Sequence, residues 1–190
     1  MEMDSSSLTP SLADYRPGQY VCSAGFGKRA VWYALNAVLF DSWLCPFSSP
    51  KTFVLRCFGA KIGTGLVIKP RVNIKYPWNL TIGDHVWIGE GAGIDNLAPV
   101  QIGSNVCISQ GAMLLTGNHD YKDRKFGLVL GEIHIDEGVW IGARCLVCPG
   151  AKCRRNSVLM AGSVLSKEAE ANGVYGGNPA KRIRYRVIRG

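Results

Sequence analysis

Ile82-Gly83-Asp84-His85-Val86-Trp87-Ile88-Gly89-Glu90-Gly91-Ala92-Gly93-Ile94 places an isoleucine at every sixth position, with a small or β-branched residue four places after it. The phrase continues outward in both directions. Upstream the openers are Ile62, Ile68 and Ile74. Downstream they are Ile102, Ile108 and Leu114, and then, after a gap, Ile135, Ile141, Val147, Cys153, Leu159 and Leu165. The matching small positions include Val72, Val86, Ala92, Ala98, Val106, Ala112, Val139, Cys145, Ala151, Ser157 and Ser163. A period of six fits neither a helix nor a plain strand. It fits short strands joined by tight corners, with opener and small residue pointing inward. Gly or Asp directly after the opener, as at Gly63, Gly83, Gly89, Asp95, Gly103, Asp136 and Gly142, is expected to take the corner's unusual backbone angles.

The breaks in the period are equally informative. Steps of six run in threes, with extra residues after Ile74, after Ile94 and, at greatest length, after Leu114. Three phrases per closed unit imply a triangular coil with insertions at one recurring corner. About five such coils stack into a parallel β-helix, each burying its interior against its neighbours. Three segments follow: an arm and helical cap at 1–58, the β-helix at 59–170 with a loop inserted at 117–132, and a C-terminal tail at 171–190.

The phrases resemble those of the hexapeptide-repeat acyltransferases. The resemblance covers residues 59–186 and sharpens at Phe58-Gly59-Ala60-Lys61-Ile62-Gly63, Tyr76-Pro77-Trp78-Asn79-Leu80-Thr81, Thr116-Gly117-Asn118-His119-Asp120 and Gly177-Asn178-Pro179-Ala180. These stretches are similar to the colanic-acid-biosynthesis branch, with the maltose, galactoside and nodulation O-acetyltransferases as near relatives. The resemblance implies an all-β, left-handed parallel β-helix. It also implies acetyl-CoA as co-substrate and a homotrimer with active sites between subunits.

With 190 residues, 47% hydrophobic and 19% charged, the composition is that of a globular chain. A net charge of +8 points to an anionic partner: nucleic acid, a phosphorylated ligand or a membrane surface. No nucleic-acid-binding signature accompanies it. Seven cysteines form an odd set, and Cys145 and Cys153 fall on inward positions, so they read as small core residues of a reducing compartment. Cys145 and Cys148 have C-x-x-C spacing, but residues three apart on a strand face opposite sides and converge on no metal.

Residues 1–25 read as an extended arm without a signal-peptide order. Lys28–Leu44 reads as a helix with a broad apolar face, too short and too interrupted by Asn36 and Asp41 to span a bilayer. Ser48-Ser49-Pro50 reads as a cap and first-turn proline of a second helix. Two roles stand open for this region. It covers the open end of the β-helix, or it also touches membrane through Trp32, Tyr33, Phe40 and Trp43, with Lys28, Arg29, Lys51 and Arg56 meeting headgroups. Lys181, Arg182, Arg184, Arg186 and Arg189 make the tail basic.

Of three histidines, His119 sits where the third coil meets the long loop, and an imidazole there can take a proton from a hydroxyl. His85 falls on an outward position and His134 beside Ile135. The three lack the spacing of the zinc-binding carbonic anhydrase built on a similar prism. The resemblance makes His119 the general base and the Ala143 amide the oxyanion donor. It assigns Asp95, Asn96 and Asn118 to the acceptor. It gives coenzyme A Trp140, Gly142, Ala143, Ala161, Ser166, Lys167, Asn178, Pro179, Lys181 and Arg184. The function it implies is O-acetylation of a sugar in exopolysaccharide or cell-surface polysaccharide synthesis, on a free or lipid-linked acceptor. The reaction is placed in the cytoplasm, with the inner membrane face as one location. N-acetylation of an amino sugar and an inert β-helix scaffold are the alternatives.

Overall fold

The computed structural model describes residues 9–18 and 20–189. Residues 1–8 of the expected arm, Gln19 and Gly190 lie outside the described residues. Three parallel sheets wrap the core. The first face stacks Lys61–Ile62, Leu80–Ile82, Val100–Ile102, Ile133–Ile135, Lys152–Cys153 and Glu168–Ala169. The second stacks Val67–Ile68, Trp87–Ile88, Cys107–Ile108, Trp140–Ile141, Val158–Leu159 and Gly173–Gly176. The third, one strand shorter, runs from Asn73–Ile74 to Val164–Leu165. The coil thus turns about six times rather than five. The extra turn uses buried Ala169 and Tyr175, six residues apart and paired with Cys153 and Leu159, but Ala169 comes four rather than six residues after Leu165. Lys181–Tyr185 then folds back antiparallel on Gly173–Gly176.

Openers from Ile68 to Leu165 are buried, and so are the small residues four places on, which gives two inward columns per face. Strands pair in register, Ile82 with Ile102 and Ile102 with Ile135. The additions all leave the corner between the third and first faces, at 76–79, 96–99 and 116–132.

The glycines after the openers serve a different purpose from the one expected. Their φ is not left-handed. That conformation falls two residues later, at Gly65, Arg71, His85, Gly91, Asn105, Gly111, Gly138, Arg144, Gly150, Asn156, Gly162 and Asn172. Gly103 is needed because coils nearly touch at the corner: a Cβ there would lie 2.7 Å from the Glu137 amide nitrogen.

At the start of the stack, helix α1 (Phe26–Leu35) runs into a π-helical turn at Asn36–Phe40, ending four residues short of the expected Leu44. Helix α2 (Ser48–Cys57) follows. Ser48 does not cap its own helix; its hydroxyl accepts the Ile68 N–H at 3.0 Å. The other unpaired groups of the first coil are met in the same way. Asn36 accepts the Ile74 N–H at 3.2 Å, and Trp32 Nε1 donates to the Ile74 carbonyl at 2.9 Å. Lys51 Nζ donates to the Lys69 carbonyl at 3.1 Å, and Arg56 reaches the carbonyls of Ile62 and Gly63 at 2.9 and 2.6 Å. Trp32 and Phe40 are 2% and 0% exposed, so neither reaches a membrane. Lys51 is equally buried, which lowers its pKa. These side chains form a cap because an open strand edge holds unsatisfied backbone groups.

The two glycine roles are separable by mutation. Gly91→Asn, at φ +66 with open space around the new Cβ, should cost under about 1 kcal/mol, since Asn tolerates this conformation. Gly103→Asn must push neighbouring coils apart and should cost about 3 kcal/mol. Equal losses in denaturant midpoint for the two variants would refute the distinction.

Candidate active site

The long insertion opens as a hairpin, Gly117–His119 paired antiparallel with Leu128–Leu130. Its root is held from below. Thr116 is buried, and its hydroxyl donates to the Asp95 carbonyl at 2.9 Å and accepts the Ala98 N–H at 3.0 Å. Gly117 leaves room for Leu97, whose Cδ1 would lie 2.9 Å from an added Cβ.

His119 is half-buried on this hairpin. Phe126 stacks on its ring at 4.4 Å and 9°, and Tyr15 of the N-terminal arm meets it edge-on at 5.9 Å. The Phe126 carbonyl lies 2.9 Å from Nδ1. A carbonyl only accepts, so Nδ1 carries a proton, and in the neutral imidazole Nε2 then holds the lone pair. Tyr15 and Phe126 were not apparent in the sequence, because the hairpin's turn and the returning arm bring them to the ring. The arm is anchored by the Ser11 N–H donating to the Arg124 carbonyl at 3.0 Å.

A second feature opens along the second face and its corner toward the third, a groove of about 930 Å³. Trp140, Gly142, Ala143, Ala161 and Arg184 line it, with Val158, Met160 and Val174 as apolar floor and Arg189 at the basic end. Trp140 Nε1 donates to the Ser109 hydroxyl at 2.9 Å, fixing the indole as a wall. The Ala143 carbonyl accepts the Gly162 N–H at 2.8 Å, while its own N–H has no backbone acceptor among the described residues. Gly142 is sterically required, because a Cβ would sit 2.5 Å from the Leu159 carbonyl oxygen.

Not every expected contact gathers here. Ser166 and Lys167 lie at the corner between the third and first faces, Asn178 and Pro179 in the turn before the last strand; none of these, nor Lys181, lines the groove. Of the basic tail, Arg182 is paired with Glu170 at 2.6 Å, and Arg186 donates to the Gly138 and Asn156 carbonyls at 2.8 and 3.3 Å. Arg184 and Arg189 are left facing the groove.

On the acceptor side one assignment is corrected. Asn96 is fully buried, accepting the Tyr76 N–H at 2.8 Å and donating to the Tyr76 carbonyl at 2.7 Å, so its amide belongs to the corner. Asp95 is about a third exposed and paired with Lys75 at 2.8 Å. Asn118 is exposed, its side-chain oxygen accepting the His119 N–H at 2.8 Å. His85 is exposed at a left-handed corner position, and His134 lies 3.4 Å from Glu132. Among the described residues, no group of three or more His, Cys, Asp or Glu is placed to hold a metal ion.

His119 and the groove occupy different edges of one prism. The hairpin leaves the edge between the third and first faces, and the groove follows the edge between the second and third.

Comparison with known proteins places these features in context. Residues 79–115 and 132–167 match the family described as hexapeptide repeat of succinyl-transferase. The chain is 39% identical over 166 residues to a protein of Escherichia coli K12 named as colanic acid biosynthesis acetyltransferase WcaF, covering 84% of this chain and 88% of that one. A galactoside acetyltransferase solved with coenzyme A is 26% identical with a TM-score of 0.73, over 84% of this chain and 80% of that chain. A hexapeptide-repeat acetyltransferase of Vibrio cholerae solved with acetyl coenzyme A has a TM-score of 0.76 at 23% identity, over 84% and 87%. The coil therefore has the left hand.

The three cysteines of the later coils, Cys145, Cys148 and Cys153, are poorly suited as nucleophiles. Burial raises the pKa of Cys145 and Cys148, and pushes Cys153 up to about 12. A thiol with a raised pKa is protonated at neutral pH and attacks slowly. In the native protein at about pH 8, iodoacetamide should modify exposed Cys57 while sparing Cys145 and Cys153 until the chain unfolds. Rapid native labelling of Cys153, read by peptide mass, would contradict this.

Proposed function

The chain belongs to the hexapeptide-repeat acetyltransferases, and on that premise we propose that it transfers an acetyl group from acetyl-CoA to a sugar hydroxyl, in the assembly of an exopolysaccharide or other cell-surface polysaccharide. The observation that carries the reading is the state of His119. Its Nδ1–H is held by the Phe126 carbonyl, so Nε2 is the free acceptor that a general base requires.

Nε2 takes the proton of the acceptor hydroxyl as its oxygen forms a bond to the acetyl carbonyl carbon. The negative charge that develops on the carbonyl oxygen is met by the Ala143 N–H, a fixed donor in the groove. When the carbon–sulfur bond breaks, the imidazolium returns its proton to the departing thiolate. No covalent enzyme intermediate is needed, in keeping with the raised pKa of Cys145, Cys148 and Cys153. The apolar floor of Val158, Met160 and Val174 suits a pantetheine arm, and Arg184 and Arg189 suit phosphates. Asn118 beside the base and Asp95 one register step below Leu115 are the acceptor contacts of this reading. The names of the relatives, a colanic acid biosynthesis acetyltransferase and galactoside O-acetyltransferase, support a carbohydrate acceptor.

The separation of base and groove on different edges supports a site shared between copies in a cyclic trimer, one copy supplying the groove and the next His119. The reaction then takes place in the cytoplasm, where acetyl-CoA is available.

His119→Ala should lower kcat by about 10²–10⁴ while leaving the thermal transition intact. Near-normal transfer of labelled acetyl from acetyl-CoA to a panel of sugars by this folded variant would remove His119 from its role.

Sharing is tested by complementation. His119→Ala and the groove-blocking Ala161→Trp should each be inactive alone. Random mixed trimers should regain about a quarter of the wild-type sites, since that fraction joins an intact groove to an intact base. No recovery from co-expressed, verified mixed oligomers would mean that each copy acts alone.

A further inference from the structure

The cap buries one side of the N-terminal helical region and leaves the other strongly apolar. Trp43, Leu44 and Phe47, in the segment between α1 and α2, are 60%, 79% and 71% exposed, and Phe53 on α2 is 68% exposed. Three large apolar side chains within five residues of exposed backbone need an occupant, since such clusters mark interaction surfaces.

Charge identifies the occupant. Residues 20–80 contain eight basic residues and one acidic, a net of +7 out of +8 for the whole chain. Asp95 offsets one of them, at Lys75. Residues 81–180 carry eight basic and ten acidic residues, and the five basic residues of 181–189 lie at the far end, so along the prism itself the positive charge is concentrated at the capped end. Lys69 and Arg71 belong to this set and are exposed, and Arg71 adjoins the segment itself, its N–H donating to the Ser42 carbonyl at 3.2 Å. The segment's one carboxylate, Asp41, accepts a hydrogen bond from Asn73 at 3.1 Å.

We propose that this capped end docks on an anionic phospholipid surface, with Trp43, Leu44 and Phe47 entering the headgroup layer and Lys69 and Arg71 lying against the phosphates. Aromatic and aliphatic side chains ringed by lysine and arginine are the makeup of an interfacial contact. No helix among the described residues is long and apolar enough to cross a membrane, so the contact is peripheral. Trp32 and Phe40 are not involved, being committed to the cap. The docking surface is separate from His119 and the groove and does not depend on the acetyltransferase reading.

Co-sedimentation of the full chain with vesicles of phosphatidylglycerol and phosphatidylcholine tests it. The wild type should bind the phosphatidylglycerol vesicles at low ionic strength, leave them at high salt, and ignore pure phosphatidylcholine. Lys69→Gln with Arg71→Gln should weaken partitioning on the order of 30-fold. Trp43→Ser, Leu44→Ser and Phe47→Ser together should abolish binding, with circular dichroism unchanged. If the triple variant misfolds, the charge pair alone decides. No binding by the wild type, or binding indifferent to these substitutions, overturns the proposal. Loss of self-association in the triple variant, with vesicles ignored throughout, would overturn it too and assign the face to a second copy of the chain.

Discussion

Each coil of this protein satisfies its backbone through the next one. The Gly83 N–H donates to the Ile102 carbonyl at 2.8 Å and the Gly103 N–H to the Ile135 carbonyl at 2.7 Å, and comparable steps recur through the stack. A strand of two residues has no stability of its own. Every structural feature of the chain depends on that stacking holding its register, including the close approach of glycine corners where no Cβ fits.

Stacking creates two ends, and each is closed differently. At the start, Asn36, Lys51, Ser48, Trp32 and Arg56 supply donors and acceptors to the first coil, one group at a time. A buried lysine amine is costly unless it is bonded, and the Lys69 carbonyl supplies that bond. At the far end, Lys181–Tyr185 pairs antiparallel with Gly173–Gly176, which carries Arg184 back over the second face. Closing the solenoid and building the basic end of the groove are therefore one structural event.

The same geometry separates the chemistry. Because insertions leave only one edge, the hairpin bearing His119 is held at that edge, with Thr116 tying its root to the coil below. The groove lies at a corner without insertions, where Gly142 allows close stacking and the Ala143 N–H is left without a backbone acceptor among the described residues. A single triangular prism keeps the two apart.

The chain's own periodicity determined the solenoid: the phase of six, the inward columns, the corner that accepts additions and the position of His119 at the mouth of the longest addition are all local spacings. The groove positions Trp140, Gly142, Ala143 and Ala161 were likewise legible through the resemblance, because they follow the repeat. The tertiary structure decided which groups were spent on structure. Trp32 and Phe40 stood open between an end cap and a membrane contact until the first coil took them. Asn96 read as an acceptor ligand until Tyr76, twenty residues away, used both ends of its amide. Arg186 read as one more basic tail residue until the carbonyls of Gly138 and Asn156 engaged it. Phe126 carried no signal at all, and its carbonyl sets the tautomer of His119 through the turn of a hairpin. The reason is physical. A periodic pattern encodes the path of the chain, whereas the commitment of a polar or aromatic side chain depends on which backbone groups the folded path leaves unpaired beside it.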